Sequence, residues 1–153
     1  MTAIFRQFFQ DKKVIQKLKD TIAKKLKIAL TDEIAIIKER TTAGKDYRNA
    51  NFVAYSKEYR EQRIKEGRNS YPDLTRTGNM LKALTVGKIV VGEEEITGKI
   101  IMIDTGASVQ RSSDGTASLA TASEKVGFNE KVGRIFFKLS QETLAKIKDK
   151  IFR

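Results

Sequence analysis

The chain has 153 residues, with 30 Lys and Arg against 19 Asp and Glu, so its formal net charge is +11. It contains neither Cys nor His, which excludes disulfides, thiol nucleophiles, thiolate zinc sites, histidine metal clusters and a Ser-His-Asp triad. The length suits a single domain, 1–153. No run approaches the roughly 18 apolar residues of a membrane span. We therefore expect a protein that is made and kept in a cytoplasm and has no membrane partner.

The first predicted element is a long amphipathic helix over 11–39. Apolar residues recur there at steps of three and four, from Ile15 to Ile37, which defines one buried face. The opposite face is basic and includes four lysines that we call the lysine stripe: Lys13, Lys17, Lys24 and Lys27. Such a stripe is typical of a solvated helix surface, and it is also a candidate interface between subunits.

A polar excursion follows over 40–70, where the helical periodicity fails and a helical turn is compatible with the pattern. Phe52, Tyr55 and Tyr59 fall there at helical spacing, and Arg60 and Arg63 come next. Two interpretations fit these residues. The rings pin the excursion to the body of the protein, or the mixture of rings and basic groups forms a binding surface of the kind that single-strand binders use. A loop of this length is usually functional, so we name the five residues as a candidate assembly loop.

The rest of the chain, 71–153, predicts a mixture of short helices and strands. The pattern indicates a turn, a short helix, an antiparallel hairpin made by 88–91 and 99–103, a loop over 104–123 whose last part is compatible with a helix, a strand-like run over 135–139 and a closing helix after Ser140. The inner face of that last helix is assigned to Leu144, Ile147 and Ile151. The predicted fold class is α+β, with a long N-terminal helix packed on a small antiparallel sheet with shorter helices.

The turn of the predicted hairpin is acidic, because Glu93, Glu94 and Glu95 follow one another there. The segment 71–110 has a net charge of −1, whereas 1–40 has +5. Opposite charges on different elements suit head-to-tail contacts between copies, so these glutamates and the lysine stripe form the candidate subunit interface. Three adjacent carboxylates at a turn point in different directions, which disfavours a divalent-metal site. We predict no metal, cofactor-binding or catalytic residue and no cofactor.

One motif points to a different function. The run from Ile101 to Ser108 contains Asp104-Thr105-Gly106 and resembles the catalytic loop of retroviral-type aspartic proteases, in which two close carboxylates share a proton. Those proteases are nearly all β, whereas a long helix precedes Asp104 here. A strand that ends in Asp-Thr-Gly is also an ordinary exit into a turn. The protease is therefore the weaker alternative, and the prediction is that the protein is not an enzyme.

Taken in order, three segments resemble the virion-morphogenesis family of tailed bacteriophages. They are Phe52 to Tyr59, the run Asp73-Leu74-Thr75-Arg76-Thr77-Gly78-Asn79-Met80-Leu81, and Arg134-Ile135-Phe136-Phe137-Lys138-Leu139-Ser140 after Gly127. The resemblance covers roughly 50–150. It implies a structural component of the phage neck at the head-tail junction, of the tail-completion, connector or tail-terminator type.

The same resemblance implies a homo-oligomeric ring, of six or a related number of copies, around the DNA channel. The implied partners are further copies of the chain, neighbouring connector or head-closure and tail proteins, and the passing DNA, which is contacted non-specifically. The implied location is the neck or tail of the virion, after assembly in the host cytoplasm. The alternative from another class of protein is a basic nucleic-acid-binding module, which the charge of +11 favours.

Overall fold

The computed structural model of the chain describes residues 12–75, 78–103, 108–111, 117–136 and 138–152. Its helices are α1 (Lys12–Thr42), α2 (Lys57–Lys65), α3 (Asn79–Lys82), α4 (Ala122–Lys131) and α5 (Gln141–Phe152). Its strands are β1 (Leu84–Val86), β2 (Val90–Val91), β3 (Ile96–Thr97), β4 (Ile100–Met102), β5 (Ser108–Arg111) and β6 (Ala117–Ala120). All strand pairs are antiparallel. The predicted α+β class is confirmed.

The long helix α1 forms because apolar residues recur along one of its faces, and it runs for 31 residues. Its end at Thr42 lies three residues beyond the predicted one, and a glycine follows two residues later. Gly44 has φ +77° and donates its N–H to the carbonyl of Thr41, and Lys45 donates to the carbonyl of Arg40. A left-handed residue just past the last turn satisfies carbonyls that would otherwise lack partners. Gly44 therefore directs the chain out of α1 and into the excursion.

The predicted antiparallel hairpin is present, and its arms begin earlier in the chain than the predicted runs. Its two arms pair as β1 with β4 and as β2 with β3, and the Gly87 N–H donates to the Lys99 carbonyl between the two ladders. Leu84 faces Met102 at the base, and Val91 faces Ile96 near the turn. The first arm therefore has one residue more than the second between the ladders, which is a β-bulge. Both predicted runs, 88–91 and 99–103, reach into the arms of this hairpin, but their paired residues face other partners: Val90 and Val91 face 96–97, and 100–102 face 84–86.

This hairpin lies directly on α1, and a glycine allows the close approach. A Cβ atom on Gly98 would lie 2.6 Å from Ile89 Cδ1 and 2.9 Å from Leu30 Cδ1. Around this contact, α1, the hairpin and the later helices share a core with two clusters. One contains Ile34, Ile37, Phe52, Met80, Leu81, Leu84, Val126 and Phe136, and the other contains Ala29, Leu30, Ile147 and Ile151.

Three further predictions in the second half of the chain need correction. The segment 104–123 contains the antiparallel pair β5 and β6, which the loop prediction missed, whereas the helix allowed at its end is present as α4. The described residues of 135–139 are not in a strand, because Arg40 of α1 donates to the carbonyls of Phe136 and Lys138 in place of a neighbouring strand. Leu144 is 44% exposed, since only the later turns of α5 press against α1. Asp104, the protease candidate, lies outside the described residues.

Candidate functional site

The excursion begins with an anchor in the core. Phe52 is 6% exposed and packs with Ile34 and Ile37 of α1, so it fastens the start of the excursion to the body of the protein. Four residues later comes Ser56, the N-cap of α2, whose side chain accepts a hydrogen bond from the Tyr59 N–H. This N-cap explains why a helix starts within a polar segment.

The far side of the excursion is held by a buried arginine. Arg63 is 1% exposed, and its Nη2 donates to Asp73 Oδ1 at 2.8 Å while its Nε donates to the Asn69 carbonyl at 2.9 Å. The other carboxylate oxygen of Asp73 accepts from Asn69 Nδ2, and Oδ1 also accepts from the Thr75 N–H. A buried ion pair is retained in this way only when hydrogen bonds satisfy its remaining groups. These bonds close the chain between α2 and the turn before α3.

The ring of Tyr55 contacts two guanidinium groups. The carbon of the Arg63 guanidinium is 5.2 Å from the centre of its ring, and that of Arg134 is 4.7 Å away. The ring of Tyr59 meets it edge to face, at 4.8 Å between centroids. Arg134 in turn donates to the carbonyls of Val53 and Ala54. We call Tyr55, Tyr59, Arg63, Asp73 and Arg134 the arginine–tyrosine cluster.

The electrostatics of the cluster favour a fixed scaffold over acid–base chemistry. Burial raises the pKa of Tyr55, which keeps its phenol protonated at neutral pH. Burial opposes the charge of Arg63, yet the neighbouring Tyr55 and Asp73 outweigh it and raise the pKa of the guanidinium. Both groups therefore hold one protonation state at neutral pH. Cation–π contacts of this kind add stability without needing proton transfer.

The five residues of the candidate assembly loop fall into three environments. Phe52 is in the core, Tyr55, Tyr59 and Arg63 are in the arginine–tyrosine cluster, and Arg60 is exposed on α2. Sequence reasoning missed Asp73 and Arg134 as partners in this cluster. A signal was available, because both residues belong to segments that carry the resemblance to the virion-morphogenesis family.

The lysine stripe and the acidic turn occupy different sides of α1. All four stripe lysines and all three glutamates are exposed. The turn is held by another lysine, since Lys19 Nζ donates to the carbonyls of Gly92 at 2.6 Å and Glu93 at 2.7 Å. At 100° per residue the stripe lies about 120° around the helix axis from Lys19. Contact between the stripe of one copy and the turn of another stays a prediction.

One apolar cavity of about 250 Å³ opens between α1, the hairpin and the segment before α5. Its lining residues are Leu30, Ile37, Gly98, Lys99, Ile100, Lys138 and Leu139. Within the described ranges, no three carboxylates are placed so that they could hold a metal ion. None of the described helices combines the length and the apolar character that a membrane span needs.

Comparisons of this chain with protein-family models, with curated proteins and with solved structures gave no match.

Proposed function

We propose that the protein is a structural subunit of the neck of a tailed bacteriophage, where copies form a ring around the DNA channel and join head to tail. The observation that carries the proposal is the convergence of the three segments on which the family resemblance rests. Tyr55 and Tyr59 come from the first, Asp73 from the second and Arg134 from the third, and all four lie in one cluster with Arg63.

The arrangement of this cluster suits a structural subunit better than an enzyme. The cluster joins α2, the turn before α3 and the segment after α4, so it locks elements that are far apart in sequence. Arg60 and most of the residues 64–71 remain exposed around this rigid base. A rigid scaffold that presents an exposed polar surface is suited to binding neighbouring subunits.

The charge distribution also fits a ring near DNA. The first half of α1, residues 12–27, carries seven lysines and one aspartate. Even if all three carboxylates of an acidic turn faced it, part of this positive surface would stay without a counter-charge. The remainder is available for non-specific contact with phosphates, which weakens as the salt concentration rises.

Electron microscopy of the purified full chain, together with its addition to particles assembled without it, tests the proposal. We expect ring-shaped oligomers and a gain in joined head–tail particles. A chain that stays monomeric at high concentration and adds nothing to particle joining would contradict the proposal. Retention of tight DNA binding at physiological salt by that monomer would favour the nucleic-acid-binding module instead. Peptide cleavage that Asp104→Asn abolishes would favour the protease.

A further inference from the structure

The tip of the hairpin exposes apolar and acidic groups side by side. Val90 is 54% exposed and Val91 is 39% exposed, although successive residues of a strand point to opposite faces. Neither face of β2 is therefore fully covered by the described part of the chain. The carboxylates of Glu93, Glu94 and Glu95 follow directly. We call residues 90–95 the hairpin tip.

The cavity complements the hairpin tip, because it has an apolar lining and carries lysines where the tip carries glutamates. Leu30 and Ile37 of α1 line it but are almost fully buried, so Ile100 and Leu139 are the apolar lining residues that a partner can reach. The two charged residues of its lining, Lys99 and Lys138, are exposed. The Lys138 ammonium is 5.3 Å from the centre of the Tyr47 ring, which limits where it can move. An apolar hollow between two ammonium groups matches an apolar tip that carries carboxylates.

The tip cannot enter the cavity of its own chain. Lys19 holds the turn by its backbone carbonyls, whereas Leu30 and Ile37 line the cavity farther along the same helix. At 1.5 Å per residue these positions are about 16 to 27 Å apart along the axis. Two complementary surfaces at separate places on one molecule generate a heterologous contact, which closes into a ring when the rotation between copies allows it.

We propose that the hairpin tip of one copy docks into the cavity of the next, with Val90 against the accessible part of its apolar lining and the glutamates beside Lys99 and Lys138. This inference rests on the proposed ring and names its subunit contact. In this contact the acidic turn pairs with Lys99 and Lys138, which we call the cavity rim. The lysine stripe lies outside the contact.

Complementary charge reversal tests the docking. One variant carries Glu93→Lys, Glu94→Lys and Glu95→Lys, and the other carries Lys99→Glu and Lys138→Glu. Alone, each places like charges at the contact, so we expect self-association at least about tenfold weaker than that of the native chain. Mixed in equal amounts, each tip meets a rim of opposite charge. We expect the mixture to recover oligomers in which the two variants alternate, measured by sedimentation velocity.

A matched control replaces the rim variant with Lys17→Glu and Lys24→Glu, which makes the same charge change on the lysine stripe. Recovery with this control instead of the rim variant would overturn the docking and assign the contact to the stripe. Unchanged association of the two reversed variants would also overturn it. Joining of head and tail by those variants would then show that the proposed function survives without this contact. A native chain that neither associates nor joins particles would remove both proposals.

Engineered cysteines give a second measurement, because the chain contains none of its own. Val90→Cys and Lys138→Cys in one chain should form disulfides between copies under mild oxidation, which requires Cα atoms within about 7 Å. The expected product is a ladder of covalent oligomers on a denaturing gel. Disulfides confined to single chains would overturn the docking. Lys65→Cys in place of Lys138→Cys is the control and should give no ladder.

Discussion

Arg63 and Asp73 form an ion pair at 2.8 Å, with their side chains only 1% and 5% exposed. The pair spans ten residues and closes the loop that contains the end of α2 and the turn at Tyr71 and Pro72. Because few apolar side chains are buried in this segment, its order depends on polar contacts to an unusual degree. The pair is therefore the place where the stability of the excursion can be tested.

Asp73→Ala should lower the free energy of unfolding by about 3 to 5 kcal/mol, because it leaves the Arg63 charge buried without its carboxylate. Urea unfolding followed by circular dichroism measures the global loss. Hydrogen exchange would show whether the excursion opens first. The control is Glu66→Ala, which removes the partner of Arg68 in a more exposed ion pair at 3.2 Å. We expect a change below about 1 kcal/mol there. Equal losses in both variants would contradict the assignment of Arg63 as the anchor.

Gly44→Ala should destabilise the protein more than Gly67→Ala. Both residues have positive φ, +77° and +68°, so each substitution should lower the free energy of unfolding by about 1 kcal/mol through backbone strain. At Gly44 the new Cβ would also lie 2.9 Å from the Tyr71 ring and 3.1 Å from the Pro72 carbonyl oxygen, whereas nothing lies within 4 Å at Gly67. We expect a further loss of about 1 kcal/mol or more, measured by thermal unfolding. Equal losses would show that Tyr71 moves aside freely.

Gly98→Ala should weaken the packing of the hairpin on α1. The added methyl group would meet Ile89, Leu30 and Leu26 at 2.6, 2.9 and 3.2 Å, so side chains on both elements must shift. The expected loss is about 1 to 3 kcal/mol in urea unfolding. Gly127→Ala in α4 is the opposite case, because it has open space and a helical position. We expect that variant to gain about 0.5 to 1 kcal/mol. A neutral Gly98→Ala would mean that the hairpin can lift from α1 at little cost.

Glu33 should make stability depend on pH. Burial raises its pKa above the ordinary 4.5, although Arg40, Lys150 and Lys146 act to lower it. The folded protein therefore holds this proton more tightly than the unfolded chain does. The free energy of unfolding should fall as the pH rises through the raised pKa. Glu33→Gln removes that titration, so we expect it to be more stable than the native chain at neutral pH and similar to it in acid.

Urea unfolding at a series of pH values measures this difference. Glu39→Gln is the control, because it makes the same chemical change at an exposed position of the same helix. We expect that variant to follow the native profile within about 0.5 kcal/mol. A loss of stability in Glu33→Gln at neutral pH would show instead that the attraction to Arg40, 3.6 Å away, outweighs the cost of burial.

Local patterns in the sequence predicted α1, the acidic hairpin and the closing helix, because each depends on the spacing of neighbouring apolar residues. The bulge near Gly87 was not predictable in this way, since it depends on how Ile89 and Gly98 fit against Leu30. The strand prediction for 135–139 failed for a related reason. Arg40, almost a hundred residues earlier, supplies the donors that an adjacent strand would have supplied.

The arginine–tyrosine cluster illustrates the same limit for the site. Phe52, Tyr55 and Tyr59 could be selected from their spacing, but Arg134 lies about eighty residues from the carbonyls that it binds. Composition and periodicity carry no information on such pairings. Asp73 is closer in sequence, yet an aspartate before a turn usually caps the turn, and here it also neutralises a buried guanidinium.

The single extra residue in the first arm of the hairpin separates two regions whose side chains alternate between the two faces in different phases. Below it, Leu84 and Val86 alternate in step with the core, and beyond it the alternation restarts with Ile89 turned toward α1. Because strand faces repeat every two residues, one residue inserted into an arm reverses the faces of the residues between the insertion and the turn, whereas two inserted residues preserve them. Residues added within the turn itself leave both arms in phase. The length and composition of the turn can therefore change without disturbing the body of the protein.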